Sequence, residues 1–238
     1  MDRKTLASDS GNCFVAGTLV RVHQSTPGAF EKNGQFYKNV EDVRAKDLVL
    51  SWNEKTGEFE YKPVVETYIR QADKIYQLTY EDGTLIETTW SHPFYIEGKG
   101  WVKAEDLKPG DVSKASEGSL KIVKVHVDPR SEEVYNFQVF KNHTYTVTET
   151  GVVVHNAPED EYDILNLTPE QYHEIMMNDP APEGVAYREC QGAGDVEACR
   201  AKVIHREEMR RRKNAIYAQA VVGSVPGVVL GGQHLVPG

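Results

Sequence analysis

Along the first two-thirds of the chain, β-branched and aromatic residues come in short runs broken by turn residues. The alternation predicts strands at 18–22, 48–52, 61–68, 74–80, 85–89, 121–127, 133–139, 144–148 and 152–155. Asp82-Gly83 falls between two of these runs, where a tight hairpin needs positive φ, and Gly98-Lys99-Gly100 is a second turn signal. Many short strands without a long helical period predict an all-β domain. The pattern changes near Asn156. Pro158-Glu159-Asp160-Glu161 reads as an acidic linker. Thr168-Pro169-Glu170-Gln171 then supplies an N-cap, a first-turn proline and a capping-box glutamine for a helix ending near Asn178-Asp179-Pro180. Asp195 caps a longer helix through Arg200, Glu207, Arg211 and Tyr217, which runs into the apolar, glycine-rich stretch 221–230.

The β region carries an internal echo. Glu41-Asp42-Val43-Arg44-Ala45-Lys46-Asp47-Leu48 resembles Glu105-Asp106-Leu107-Lys108-Pro109-Gly110-Asp111-Val112. Each copy runs from a short amphipathic turn through an Asp into a strand, a match that chance at few positions and two related subdomains would explain equally well.

Composition narrows the classes. The chain has 238 residues, enough to bury a core without disulfide staples. Its mean hydropathy of −0.52 fits neither a membrane bundle nor a disordered tail. Lys plus Arg number 27 against 36 Asp plus Glu, and a net charge of −9 makes a poor binder of phosphate backbones, so no nucleic-acid partner is inferred. Three cysteines cannot make a disulfide framework.

Four segments carry chemistry. Gly11-Asn12-Cys13-Phe14-Val15 places a cysteine just ahead of a strand, and Thr89-Trp90-Ser91-His92 follows the strand after Asp82-Gly83. Val134-Tyr135-Asn136-Phe137 and Asn142-His143-Thr144-Tyr145 flank a loop histidine, and Gly151-Val152-Val153-Val154-His155-Asn156 ends the β region. In this order the set resembles the Hint family, the self-processing domains of inteins and hedgehog proteins. It is most similar to the pretoxin Hint domains of bacterial polymorphic toxins.

The resemblance implies a mainly β, pseudo-twofold Hint horseshoe over 13–156, between a flanking segment 1–12 and a mostly α-helical segment 157–238. It implies Cys13 as nucleophile, Thr89 and His92 as the T-x-x-H pair, His143 as a polar helper, and His155-Asn156 as the terminal pair. The bonds at stake are Asn12–Cys13 and Asn156–Ala157. A Cys13 thiolate would attack the Asn12 carbonyl in an N–S acyl shift, with His92 protonating the leaving nitrogen and Thr89 holding that amide. The Asn156 side-chain amide would attack its own carbonyl and cut the bond to Ala157, helped by His155 and His143. Splicing also needs Cys, Ser or Thr after the terminal Asn, and Ala157 has no nucleophile. The family's usual Asp in the Val-Tyr-Asp-Leu segment is Asn136 here. The expected function is therefore autoproteolysis after Asn156 that releases a toxin or the lead-in to one. The alternative is a non-cleaving Hint scaffold restraining a toxic effector.

Other expectations concern partners and the tail. Cys13, His92, His143 and His155 would make an N₃S zinc set, but they lack C-x₂-C or H-x₃-H compactness, so no metal or cofactor is called for. The substrate is the chain's own C-terminal segment, and the toxin resemblance implies an immunity protein as partner. Met1-Asp2-Arg3-Lys4 lacks the apolar run of a signal peptide, so the chain is expected to form part of a larger exported or surface-delivered bacterial protein. Cys190 and Cys199 can pair in an oxidising compartment. Arg210-Arg211-Arg212-Lys213 reads as a solvated helix face, and 216–232 is too broken by Gln219, Ser224 and Pro226 to span a membrane.

Overall fold

The computed structural model describes residues 4–5, 11–156 and 168–222. Ala157, the acidic linker and the apolar stretch beyond residue 222 lie outside these residues. The β region is a set of sixteen short, almost entirely antiparallel strands, followed by three helices: α1 (Pro169–Asn178), α2 (Pro182–Glu189) and α3 (Val196–Val222). The mainly β architecture and the helical tail are as the pattern predicts. No described helix is long and apolar enough to cross a membrane.

The strand Phe30–Lys32 and its partner Gln35–Asn39 form a hairpin that hydrophobic patterning passes over, because half of its residues are polar and the first strand is exposed. Its turn is Asn33-Gly34, with φ of 52° and 77°, the left-handed pair that a two-residue hairpin requires. α2 is also missed by the pattern. It begins at Pro182 without a side-chain cap and has only two turns. α1 has the full capping box, with Gln171 N–H donating to the Thr168 hydroxyl at 3.2 Å and Thr168 N–H to the Gln171 side chain at 2.9 Å. The Asp195 side chain accepts from Ala198 N–H at 2.9 Å at the start of α3.

The internal echo is a repeated structure. Val40–Asp42 and Ala104–Asp106 are both single 3₁₀ turns. Asp47 accepts from Arg44 N–H at 2.8 Å, as Asp111 accepts from Lys108 N–H at 3.1 Å. Lys46 N–H donates to Val64 O, as Gly110 N–H donates to Ile122 O, each at 2.8 Å. The copies differ in the cation that each Asp holds. Lys38 meets Asp47 at 2.7 Å with both side chains buried, whereas Lys99 on Asp111 is half exposed.

The sheet brings the two ends of the β region into one core. Phe14–Val15 lies between Glu132–Val139 and Leu85–Thr88. Val152–His155 pairs with Thr144–Val147 and with Pro93–Ile96. The turn 89–92 joins Leu85–Thr88 to Pro93–Ile96, so one short connection touches the neighbours of both ends. Phe14, Phe94, Phe137, Tyr145 and Val154 share one apolar core beneath it.

The repeat supplies its own control for a stability measurement. Asp47→Ala leaves the Lys38 ammonium buried without its carboxylate and is expected to cost about 3–5 kcal/mol. Asp111→Ala loses the same turn hydrogen bond but frees an exposed lysine, at about 1–2 kcal/mol. Urea midpoints of the two variants should separate in that order, and equal losses would refute the burial argument.

Candidate active site

The N-terminal end of the site is a clamp on one backbone unit. Cys13 N–H donates to the Thr89 hydroxyl oxygen at 2.9 Å, and that hydroxyl donates onward to the Gly11 carbonyl at 2.6 Å. The Cys13 carbonyl accepts from Thr89 N–H at 3.0 Å and from the Thr88 hydroxyl at 2.8 Å. Thr89 thus grips the nitrogen that an acyl shift would expel. Its only proton is committed to Gly11, so it orients that nitrogen and does not protonate it. Thr88 carries no signal in the sequence beyond its place in a strand.

Arg70 is a second residue that sequence reading missed. It lies opposite Val134 in the strand Phe59–Ala72. Its guanidinium packs so close to Gly11 that a Cβ there would come within 2.6 Å of Nε, so a larger residue would have to displace the arginine. The nearby charge pulls the Cys13 thiol down, but burial dominates and pushes it up to about 12. Inward charge on a long strand was the only available hint.

His92 is completely buried, its ring 4.1 Å from that of Phe14, and neither ring nitrogen has a hydrogen-bond partner among the described residues. Burial, and then His155, lower its pKa to about 3 against a smaller opposing pull from the nearby Cys13 backbone. His92 is therefore a neutral imidazole at pH 7. Resting transfer of the thiol proton to it is uphill by on the order of 10 kcal/mol, before the attraction of the resulting charges is counted.

At the C-terminal end, Asn156 is buried, with Nδ2 donating to Phe137 O and backbone N–H to His143 O, both at 2.8 Å. Its side-chain Oδ1 is buried without a partner among the described residues. His143 holds a left-handed backbone, φ 54°, which turns its carbonyl onto Asn156. The His155 ring lies 4.9 Å from that of Trp101 and 6.2 Å from that of His143. Burial, then His143, lowers its pKa to about 4.

Between the ends stands Tyr145, fully buried, its hydroxyl donating to Asn136 Oδ1 at 3.1 Å. Asn136 Oδ1 also accepts from Phe137 N–H at 2.8 Å, so the residue is spent on structure. The structure thus gathers Cys13, Thr89 and His92 at one end and His143, His155 and Asn156 at the other. The two groups meet electrostatically at His92 and His155. Among the described residues no group of three or more His, Cys, Asp and Glu is placed to hold a metal ion.

The sequence matches the family described as the Pretoxin HINT domain over residues 32–157. The chain belongs to that family. The structure is similar to a bacterial intein-like domain from Clostridium thermocellum, at 34% identity over 62% of this chain and 100% of that one, with a TM-score of 0.55. It shares the fold of a DnaB intein from Synechocystis sp. PCC 6803, at 18% identity over 62% of this chain and 99% of that one, with a TM-score of 0.51. No curated protein matches the chain.

The two suppressed histidines make an acid-sensitive fold. An unfolded histidine takes up a proton below about pH 6.5, while His92 and His155 refuse it down to about 3 and 4. Stability is therefore full above 6.5 and falls as pH drops, by about 1.4 kcal/mol per pH unit for each histidine. Denaturant midpoints between pH 7 and 5 should fall accordingly. The slope, though not the level, should be roughly halved in His92→Gln, and an unchanged slope would show that His92 is protonated in the fold.

Proposed function

We propose that this chain is a self-processing domain that cuts itself after Asn156, the processing unit being 13–156 and the released piece 157–238. The observation that carries the reading is the buried seat of Asn156, its amide nitrogen fixed on Phe137 O beside two histidines. In the step, Nδ2 forms a bond to the Asn156 carbonyl carbon, and the bond from that carbon to the Ala157 nitrogen breaks. Nδ2 gives up one proton and the Ala157 nitrogen gains one, leaving a succinimide and a new amino terminus with no water consumed. In this reading His155 passes that proton, with His143 beside it. Its pKa of about 4 means that only a small fraction carries the proton at pH 7, so the reaction is slow at neutrality. A single-turnover event needs no more.

At the other end the Cys13 sulfur attacks the Asn12 carbonyl carbon, its proton passing by way of neutral His92 to the departing nitrogen that Thr89 orients. Arg70 stabilises the negative charge that develops there. Ala157 cannot take up the acyl chain, so the two cuts are independent. The family description supports a place ahead of a toxin; the proposal adds delivery in an exported or surface-delivered bacterial protein and an immunity protein as the partner for the released piece. A second reading, a Hint scaffold that restrains the tail without cutting it, is favoured by the docking of α1–α3 on the β region.

Intact-mass analysis over time separates the two. Asn156→Ala should leave the C-terminal bond whole, and a cut at the same bond in that variant would assign it to an outside protease. The rate of the C-terminal cut should fall as pH rises from about 5 to 8, because the protonated fraction of a group with a pKa near 4 falls tenfold per unit. His155→Gln should be slower and flat with pH. A rate that climbs with base in both proteins would mark deamidation chemistry and sink the assignment.

The N-terminal step has a separate readout. Hydroxylamine or excess thiol should release residues 1–12 by intercepting a thioester. Release should be absent in Cys13→Ala and slower in Arg70→Met. A wild-type chain that makes the C-terminal cut yet never yields this fragment would show that Cys13 is idle.

A further inference from the structure

Lys62 stands in the strand Phe59–Ala72 with its side chain only 1% exposed. A lysine in that position needs negative charge around it, and the β region supplies one carboxylate, Glu60 at 3.7 Å. The other two come from the helical segment: Asp179, completely buried between α1 and α2, at 3.5 Å, and Glu183 of α2 at 3.6 Å. The exchange runs the other way too. Glu60, buried, is met by Arg211 of α3 at 3.2 Å, and the same guanidinium donates to Pro180 O at 2.9 Å. Lys141, from the loop before His143, faces the same carboxylates. The cations and carboxylates therefore balance only when the two parts are together.

The surroundings reinforce the cluster. Phe140 packs with Ile175 and Met176 of α1, with Val65 and Tyr172 beside them. Lys46, at the rim, pairs with Glu174. None of these contacts runs through the linker at 157–167.

We propose that the β domain holds its helical segment non-covalently, through the charge cluster centred on Lys62. A cut after Asn156 then leaves the two pieces as one particle. The inference rests on the proposed cut but concerns the fate of the two pieces once the bond is broken. Separation would strip Lys62 of two of its three carboxylates and Glu60 of Arg211, leaving an excess positive charge on the β face and an excess negative charge on the helical one. Cutting the chain removes its continuity without removing this attraction. Freedom for the tail requires a second event that pulls the helices off, such as forced unfolding during passage through a membrane or competition by a tighter partner.

The test uses the full chain, with Asn156→Ala to stop self-cutting and a site-specific protease sequence inserted between residues 157 and 167. After protease treatment, the pieces should run together on size exclusion and appear as one complex by native mass spectrometry. Free pieces in this background would overturn the proposal. Lys62→Met should release them, and E183K, which sets a second cation against Lys62 from an accessible tail position, should do so even if Lys62→Met fails to fold. Continued association in E183K and in any folded Lys62→Met protein would overturn the role of Lys62. Failure of the cut itself is read separately, as an unchanged intact mass of the unmodified chain, and leaves this result standing.

Discussion

The candidate site depends on keeping one buried backbone unit, that of Cys13, fixed in place. Phe14–Val15 is a strand of two residues, too short to hold its own position, and two adjacent threonines take up both polar groups of the preceding Cys13. The burial that fixes this unit also governs its chemistry. It holds the thiol protonated and both His92 and His155 neutral, so the resting site carries no reactive ion. Bond making and proton movement must then occur together.

Much of this was legible in the sequence, and the features that were missed share a physical cause. Strand alternation and the Thr168 capping box are local signals, and the mainly β region and the start of α1 fall where the pattern put them. The hairpin at Asn33-Gly34 was lost because an exposed hairpin carries little hydrophobic alternation. The role of Arg70 against Gly11, and the Tyr145–Asn136 hydrogen bond, depend on strand pairings remote in sequence. Lys62 is the sharpest case. In a strand reading Phe-Glu-Tyr-Lys it looks like a solvent-facing residue, and only the arrival of Asp179 and Glu183 shows it to be internal.

The tail has its own internal order. Cys190 and Cys199 are joined, tying the end of α2 to the start of α3 beside the buried pair Ala186 and Val203. Arg188 of α2 donates to the carbonyls of Met176, Met177 and Asp179, which closes the open end of α1. Two short helices that would be marginal alone, α1 and α2, are thus tied with the long α3 into a single body. That body meets the β region through charge as much as through apolar surface. Arg211 belongs to this contact, so the basic run 210–213 is not wholly a solvated face.

The duplicated turn records how the two halves have come to differ. In the second copy the left-handed position after the 3₁₀ turn is Gly110, φ 99°, the residue that adopts this conformation without strain. In the first copy the same position is Lys46, φ 79°, which carries a Cβ in a region disfavoured for it. Its side chain is the one that reaches Glu174 on α1. Of the two turns built to one backbone plan, the one facing the helices carries the longer residue at the position where the other carries glycine. The side chain at that single left-handed position thus makes one turn a contact for α1 and leaves the other a plain turn.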